Sequence, residues 1–470
     1  MISLSFLKMC ASVKRIPDGL NLNSRLDFCT DTRKYHHPSF FVSIPGVKVN
    51  PLDVLENLLS QNCPLIFFQE DAENLQKVTK LEARFPKTSF VPVTDSVTFL
   101  QELSHHHIEA WKKLNPKNTV FAISGSNGKT THKEMLAHIL KAIKPSKIVA
   151  TEKNNNNHLG VPLTLLQVND QTEMVVLELG SNHPGEIKVL CDISSPNAGM
   201  TTNIGATHLE FFGTEEKVFE EEGYLYHAVK EGTHHEGFFL INKDDIFLKR
   251  FPTFDGAVTY GESAEVEARI SFLENGAQIK YKDQNLVAMN HHITGRHNKL
   301  NLITCVFIAN HFFPEHREKI IAAAAEFRPT KNRSEWIEFE GKPVFLDAYN
   351  ANPSSMKAAL EGFKESVLEQ GLSLDASCVV LGDMNELGDT SPVYHQDVGR
   401  FVQSLGFNHV FFVGRFSGEY LKGYTQSSGS GRASTSEFKS EFRSEVLKKY
   451  RIHFIKGSRS LQLESLFDIT

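Results

Sequence analysis

VFAISGSNGKTT, Val120 to Thr131, decides how the rest of this chain is read: an apolar run ends in a glycine-punctuated loop that delivers a lysine and two threonines. Gly125 and Gly128 let backbone N–H groups turn inward around an anion, with Ser126 and Asn127 spanning the interval between them. Lys129 adds a point charge for the outer phosphates, Thr130 a hydroxyl for Mg2+, and Thr131 completes the loop. Such a loop is a site for a nucleoside triphosphate. The usual pattern G-x-x-x-x-G-K-[ST] begins with a glycine five residues before the Gly of Gly-Lys; here that position is Ile123, so the loop belongs to a shorter subclass. Met135, Leu136, Ile139, Leu140 and Ile143 then recur at helical spacing, which predicts strand, loop and helix in succession.

Upstream, SFFVSI (Ser39 to Ile44), PLIFF (Pro64 to Phe68) and TSFVPV (Thr88 to Val93) are strand-like pieces separated by helical patterns, a small α/β unit ending near Asn115-Pro116. Downstream, KIVA (Lys147 to Ala150), MVVLEL (Met174 to Leu179), AGMTTNI (Ala198 to Ile204) and GFFLIN (Gly237 to Asn242) alternate with helices, the pattern of a covered parallel sheet. Glu178 and His208 fall at or just after strand C-terminal ends, where open α/β sheets bind ligands. Beyond a linker at Arg328-Pro329-Thr330 the alternation resumes with VFLDAY (Val344 to Tyr349), CVVLGDM (Cys378 to Met384), HVFFVG (His409 to Gly414) and HFIKGS (His453 to Ser458). The expected division is 1–117, 118–328 and 329–470. QSSGSGRASTS (Gln426 to Ser436) reads as a solvated loop.

A chain of 470 residues with 40% hydrophobic content suits about three domains. A net charge of −6 provides no overall basic field for nucleic acid, which is therefore not an expected partner. Cys10, Cys29, Cys63, Cys191, Cys305 and Cys378 form no C-x-x-C pair, which suits buried thiols in a reducing cytosol better than disulfides or zinc. The N-terminus MISLSFLKMCASVKR lacks a leading basic region, and Lys8 interrupts its apolar part, so no secretory signal is expected. No run approaches the roughly 20 apolar residues of a membrane span. The expected location is the cytoplasm.

Motifs along nearly the whole chain carry a family resemblance: GSNGKTT (Gly125 to Thr131), NNNNHLGVPLTLL (Asn154 to Leu166), LELGSNHPGEI (Leu177 to Ile187), TNIGATHLEFFG (Thr202 to Gly213), GRHNKLN (Gly295 to Asn301), DAYNANPSSMKAAL (Asp347 to Leu360), GDMNELG (Gly382 to Gly388) and IKGSR (Ile455 to Arg459). The sequence resembles the Mur ligases, ATP-dependent amide-forming enzymes of peptidoglycan precursor synthesis. YNANP together with GDMNELG is similar to the branch that joins D-alanyl-D-alanine to UDP-N-acetylmuramoyl-tripeptide. A sister ligase adding a single amino acid is the nearby alternative.

The resemblance implies a three-domain α/β architecture: an N-terminal domain for the UDP-linked substrate, a central P-loop domain with a parallel sheet, and a Rossmann-like C-terminal domain that closes on ATP and binds the dipeptide. A monomer is expected. ATP would phosphorylate the tripeptide carboxylate and the dipeptide amine would attack the acyl phosphate, chemistry that consists mainly of positioning and charge neutralisation. By position, Lys129 contacts the outer phosphates, Thr130 and Glu178 hold Mg2+, and His208 meets a second cation. Asn298 and Asn301 contact adenine, Asp347 the ribose, and Arg333 the γ-phosphate on closure. Asn156 and Asn157 face the muramoyl group, Arg33 the uridine side, and Tyr349, Asn350 and Asn352 the dipeptide. Plainer readings stand beside these: a solvated strand end for Glu178, a structural histidine for His208, a helix cap for Asp347, a surface ion pair for Arg333, and a turn-rich loop for Asn154 to Asn157.

The chain departs from the family in one telling place. Where relatives carry a lysine carbamylated by CO2, followed two residues later by glutamate, this sequence has Glu222 and Tyr224. Lys217 lies more than a helical turn away. Glu222 is expected to supply the anionic oxygen itself as part of the catalytic set, unless Glu220 to Glu222 are only a solvated face. Smaller departures are His158 and Leu346, each where relatives often have an acidic residue, and Val47 to Asn50 where an Asp-Gly-His tract is usual. A nucleotide-binding, non-catalytic paralogue is the reading the missing lysine favours. Joint retention of Lys129, Thr130, Glu178, His208, Arg333 and Asp347 argues against it.

Overall fold

Three sheets order the chain. The computed structural model describes residues 1–46, 49–233 and 237–467; Val47 and Lys48 of the departing tract, and the last residues of the third expected domain, lie outside the described residues. The first sheet runs β1 (Ile2–Ser3), β2 (Arg25–Cys29), β3 (Ser39–Ser43), β4 (Leu65–Gln69) and β5 (Ser89–Val93) in spatial order, parallel except for the β1–β2 pair. Its helices Ala72–Arg84 and Ser96–Leu114 start where aspartates allow, since Asp71 and Asp95 accept from the N–H groups of Asn74 and Thr98. Phe67 stacks on Phe99 of the second helix with ring centroids 4.3 Å apart, fastening helix to sheet.

The central sheet holds β6 (Thr119–Ser124), β7 (Ile148–Ala150), β8 (Met174–Glu178), β9 (Ala198–Thr201), β10 (Phe238–Asn242), β11 (Ala257–Gly261), β12 (Ala268–Leu273), β13 (Gly276–Tyr281) and β14 (Gln284–Met289). The order is β14-β13-β12-β11-β10-β9-β6-β8-β7, parallel from β7 to β12 and antiparallel through β13 and β14. β6 and β8 are buried along their whole length, as continuous apolar runs in a covered parallel sheet must be. The helix Lys129–Ile143 buries Met135, Leu136, Ile139, Leu140 and Ile143, the stripe expected from their spacing. The antiparallel extension is not among the expected strands. Its residues alternate in burial and include Arg269, Lys280 and Asn285, so no apolar run marks them.

The third sheet contains β15 (Glu335–Phe339), β16 (Lys342–Asp347), β17 (Ser377–Gly382), β18 (Val410–Val413), β19 (Gly429–Arg432) and β20 (Ile452–Lys456), in the order β15-β16-β20-β17-β18-β19. All neighbours are parallel except β15 and β16. Here the structure corrects the solvated-loop reading of Gln426 to Ser436. Gly429 to Arg432 form an edge strand in register with Val410 to Val413, and Ser434 caps the helix Thr435–Glu441. A Cβ on Gly429 would lie 2.6 Å from the Tyr424 ring, so glycine serves close packing at this edge. All six cysteines are free and buried. Among the described residues, no helix is long and apolar enough to cross a membrane.

Candidate active site

The phosphate loop leaves the buried end of β6 through two left-handed glycines, Gly125 at φ 119° and Gly128 at φ 80°, and Gly128 opens the helix Lys129–Ile143. The helix thereby points its unpaired N–H groups and positive end into a cleft, the arrangement that holds phosphate. The segment after β9 forms the loop's back wall: Ser126 N donates to Asn203 O at 2.8 Å, Thr202 Oγ1 to Asn127 O at 2.6 Å, and Gly205 N to Ser126 Oγ at 2.9 Å. A Cβ at Gly125 would sit 2.2 Å from Thr202 Oγ1. Gly125→Ala should therefore lower stability by about 1–3 kcal/mol and open the cradle. Thermal unfolding and binding of a non-hydrolysable ATP analogue check this; an unchanged analogue affinity would show that the cradle tolerates the shift.

Thr130 Oγ1 donates to Glu178 Oε1 at 2.9 Å, and Asn156 Nδ2 donates to the same oxygen at 3.0 Å. The side chain of Glu178 is only 4% exposed, yet its Oε2 has no protein partner. A buried, unpartnered carboxylate oxygen beside the Thr130 hydroxyl fits a hard cation such as Mg2+. On the far side His208, at φ 51°, lines the cleft. Its Nδ1 lies 2.5 Å from Glu386 Oε2, a close ionic approach rather than an aligned hydrogen bond, and the imidazole holds the Glu386 carboxyl below the usual carboxylate range.

Glu222 is placed differently from expectation. Its side chain is 1% exposed, Oε2 accepts the Gly125 N–H at 2.7 Å, and Oε1 lies 3.6 Å from Lys129 Nζ, which also donates to Gly125 O. The carboxylate thus supports the loop from behind and is not among the groups lining the cleft. Nor is the acidic run a solvated face. Only Glu220 is exposed, paired with Lys217 at 2.6 Å, whereas Glu221 turns inward to accept from Gly185 N and Ile187 N, with burial raising its pKa.

The third sheet supplies the opposite wall. Asp347, ending β16, accepts from Lys456 Nζ at 2.6 Å and from Ser334 N at 3.2 Å; Lys456, 2% exposed, also donates to Asn350 O at 3.0 Å. The Arg333 guanidinium stacks over the Tyr349 ring at 3.8 Å, and the Tyr349 hydroxyl donates to Asn154 Oδ1 at 2.6 Å. Asn298, held through Nδ2 to Thr294 O at 2.9 Å, and Asn301 are both buried at the cleft edge, beside His297, whose pKa burial pushes down to about 4. Four bonds close the boundary: Asn352 Nδ2 to Asn127 Oδ1 at 2.7 Å, Asn127 Nδ2 to Ser354 Oγ at 2.9 Å, Trp336 Nε1 to Thr294 Oγ1 at 2.7 Å, and Glu210 N to Glu386 O at 3.0 Å.

The cleft so formed has a volume of about 610 Å3. It brings together Ser126 to Thr131, Asn156, Asn157, Glu178, His208, Asn298, Asn301, Arg333, Asp347, Tyr349 and Asn350. Asn157 and Asn350 also spend their side-chain oxygens on local backbone N–H groups. Asn352 is not in the lining: it caps the helix Pro353–Glu369 in a capping box with Ser355. Arg33 lies outside the cleft, with its side chain 87% exposed and bonded to Asp31, whose carboxyl it holds down to about 2. Leu346 is buried in β16, so an acidic residue there would face the core. Sequence reasoning missed Lys456, His297 and Glu386. Lys456 carried a visible signal, a lysine ending the apolar strand β20; Glu386 and His297 became significant only through their neighbours.

Comparison with known proteins agrees with this geometry. Residues 123–309 match the Mur ligase middle domain and residues 332–445 the Mur ligase glutamate ligase domain, together well over half of the chain. The UDP-N-acetylmuramoyl-tripeptide–D-alanyl-D-alanine ligase of Bacillus subtilis is 27% identical over 445 residues, covering 93% of this chain and 91% of the relative. That of Haemophilus influenzae is 28% identical over 448 residues, covering 93% and 92%. Among solved structures, MurF from Acinetobacter baumannii superposes with a TM-score of 0.79 at 24% identity, covering 99% of this chain and 98% of that one. The MurF ligase of Thermotoga maritima in complex with ADP gives 0.74 at 22% identity, covering 94% and 96%. With its phosphate loop, its three sheets and both domain models in place, the chain belongs to the Mur ligase family.

Proposed function

We propose that this chain is the ATP-dependent ligase that joins D-alanyl-D-alanine to UDP-N-acetylmuramoyl-tripeptide in peptidoglycan precursor synthesis. The observation that carries the reading is the meeting of Lys129, Thr130 and Glu178 from the central sheet with Arg333 and Asp347 from the third sheet in one cleft. Residues 1–117 bind the uridine end of the substrate, with Arg33 as a contact; 118–328 bind ATP; 329–470 close over it and present the dipeptide site at Tyr349 and Asn350. The protein acts as a monomer in the cytoplasm.

In the first step a carboxylate oxygen of the tripeptide attacks the γ-phosphorus and the bond to ADP breaks. Lys129 and Arg333 take up the negative charge that gathers on the phosphoryl oxygens, and the closed boundary excludes water from the acyl phosphate. In the second step the dipeptide amine attacks the acyl carbon, loses a proton, and inorganic phosphate leaves. Thr130 and Glu178 would hold Mg2+, which supplies charge neutralisation at the phosphates. Lys456 keeps Asp347 turned toward the ribose. ADP release from purified protein should require both the tripeptide nucleotide and D-alanyl-D-alanine. Release supported equally by a single amino acid would assign the chain to a sister activity, and release indifferent to any acceptor would remove the ligase reading.

A further inference from the structure

One short helix, Glu215–Glu222, ends against two of the loops that form the cleft. Thr214 caps its start by accepting from Lys217 N at 3.3 Å, Val218 is fully buried, and Phe219 packs on Phe251 with ring centroids 5.0 Å apart. Its last residue is fastened to the central sheet, since the Glu222 carbonyl accepts from Ser124 Oγ at 2.8 Å. From this held end two successive carboxylates diverge. Glu222 takes the phosphate loop at Gly125 N, whereas Glu221 reaches the turn after β8, accepting Ile187 N on Oε1 at 2.8 Å and Gly185 N on Oε2 at 2.7 Å. Amides at the start of the helix Glu186–Ser194 have no partner within that helix, so the Glu221 carboxylate satisfies donors that would otherwise be orphaned. Inside the turn Glu186 Oε2 accepts from Asn182 N and His183 N at 2.6 and 3.1 Å.

We propose that Glu221 is a positioning residue that registers the turn 181–187 against the phosphate loop, and so sets the wall facing the carboxylate substrate that receives the phosphoryl group. The proposal rests on the reading of the cleft as the ligase site. β8 lies beside β6 in the central sheet, so the turn stands next to the phosphate loop, and Thr130 meets Glu178 between them. The turn lines the cleft through Ser181, Asn182, His183 and Glu186, while Glu221 is absent from the lining and acts only through the turn. Ser181 is 4% exposed and its hydroxyl has no hydrogen-bond partner among the described residues, so a displaced turn is felt by whatever occupies the cleft beside the nucleotide. A single helix end holding both loops keeps the phosphoryl donor and its acceptor in one register, the spacing on which in-line transfer depends.

Amide hydrogen exchange of the substrate-free protein, together with initial-rate kinetics, tests the proposal. Glu221→Ala should speed exchange at Gly185 and Ile187 by about 10-fold and leave Gly125 to Thr131 unchanged, because the Glu222 bond to Gly125 is a separate one. The KM for the tripeptide nucleotide should rise about 10-fold while the KM for ATP stays within about twofold. Glu221→Gln keeps one acceptor oxygen and should move each reading about threefold in the same direction, so the test holds even where alanine costs the fold. Unchanged exchange at Gly185 and Ile187 would overturn the proposal. So would faster exchange with an unmoved KM for the tripeptide nucleotide, or an equal rise in both KM values. Wild-type protein that releases no ADP with the tripeptide nucleotide and D-alanyl-D-alanine would overturn the substrate assignment together with the ligase reading, whereas the other results overturn this proposal alone.

Discussion

Lys129→Met should lower turnover by about 10³-fold, because on the function proposed above it removes the cation offered to the outer phosphates where charge accumulates in the transition state. The same change should cost about 3 kcal/mol of stability. Lys129 is the cation nearest the Glu222 carboxylate, which is 1% exposed and 3.6 Å away, and removing one partner of a buried pair leaves the other charge uncompensated. Coupled ADP-release kinetics and urea unfolding measure the two effects separately. A variant that loses activity with an unchanged unfolding midpoint would mean that Glu222 does not depend on the lysine.

The second large effect is expected at Glu222 itself. Glu222→Gln keeps an acceptor for the Gly125 N–H but removes the counter-charge that sets the resting place of Lys129. A cradle whose lysine is misplaced by an ångström loses preorganisation, so turnover should fall about 10²-fold. The KM for ATP should not rise, since an anion behind the phosphate loop has been neutralised. Combined with Lys129→Met, the Gln change should restore most of the stability lost in the single lysine variant and none of its activity, a coupling that a double-mutant cycle reads directly. Wild-type turnover in Glu222→Gln would falsify the positioning role. A weakened Mn2+ site would instead return Glu222 to the metal-ligand role first expected of it.

Buried parallel strands were legible because each is a continuous apolar run, and the phosphate loop because its chemistry is local: Gly125 to Thr131 carry their own meaning in sequence order. β12 to β14 were not, since a half-exposed meander distributes its apolar residues singly. β19 was not, since its stability comes from pairing with β18 and the Tyr424 contact at Gly429, with no β-branched side chain to announce it. The site divides the same way. Thr130 and Glu178 could be matched across one βαβ step, but the identities of the groups behind and opposite them depend on tertiary placement. Glu222 illustrates the limit: its substitution for a lysine was visible, while the side of the loop on which its carboxylate lies was not. Asn352 illustrates the converse, a residue at a recognisable position whose side chain is engaged in capping and in holding Asn127.

The boundary over the cleft is held by Asn127, Asn352, Ser354, Trp336 and Thr294, and by Tyr349 with Asn154, through hydrogen bonds between neutral side chains. Each such bond is worth about 1 kcal/mol net, because water replaces it almost as well when the surfaces part. Beneath these bonds one buried apolar cluster holds Leu209 and Phe212 of the central domain together with Met384 and Leu387 of the third, so the polar bonds set the register of the seam while apolar packing adds to its strength. Asn127 sits within the phosphate loop itself, so on the function proposed above parting of this seam would be felt directly at the nucleotide cradle.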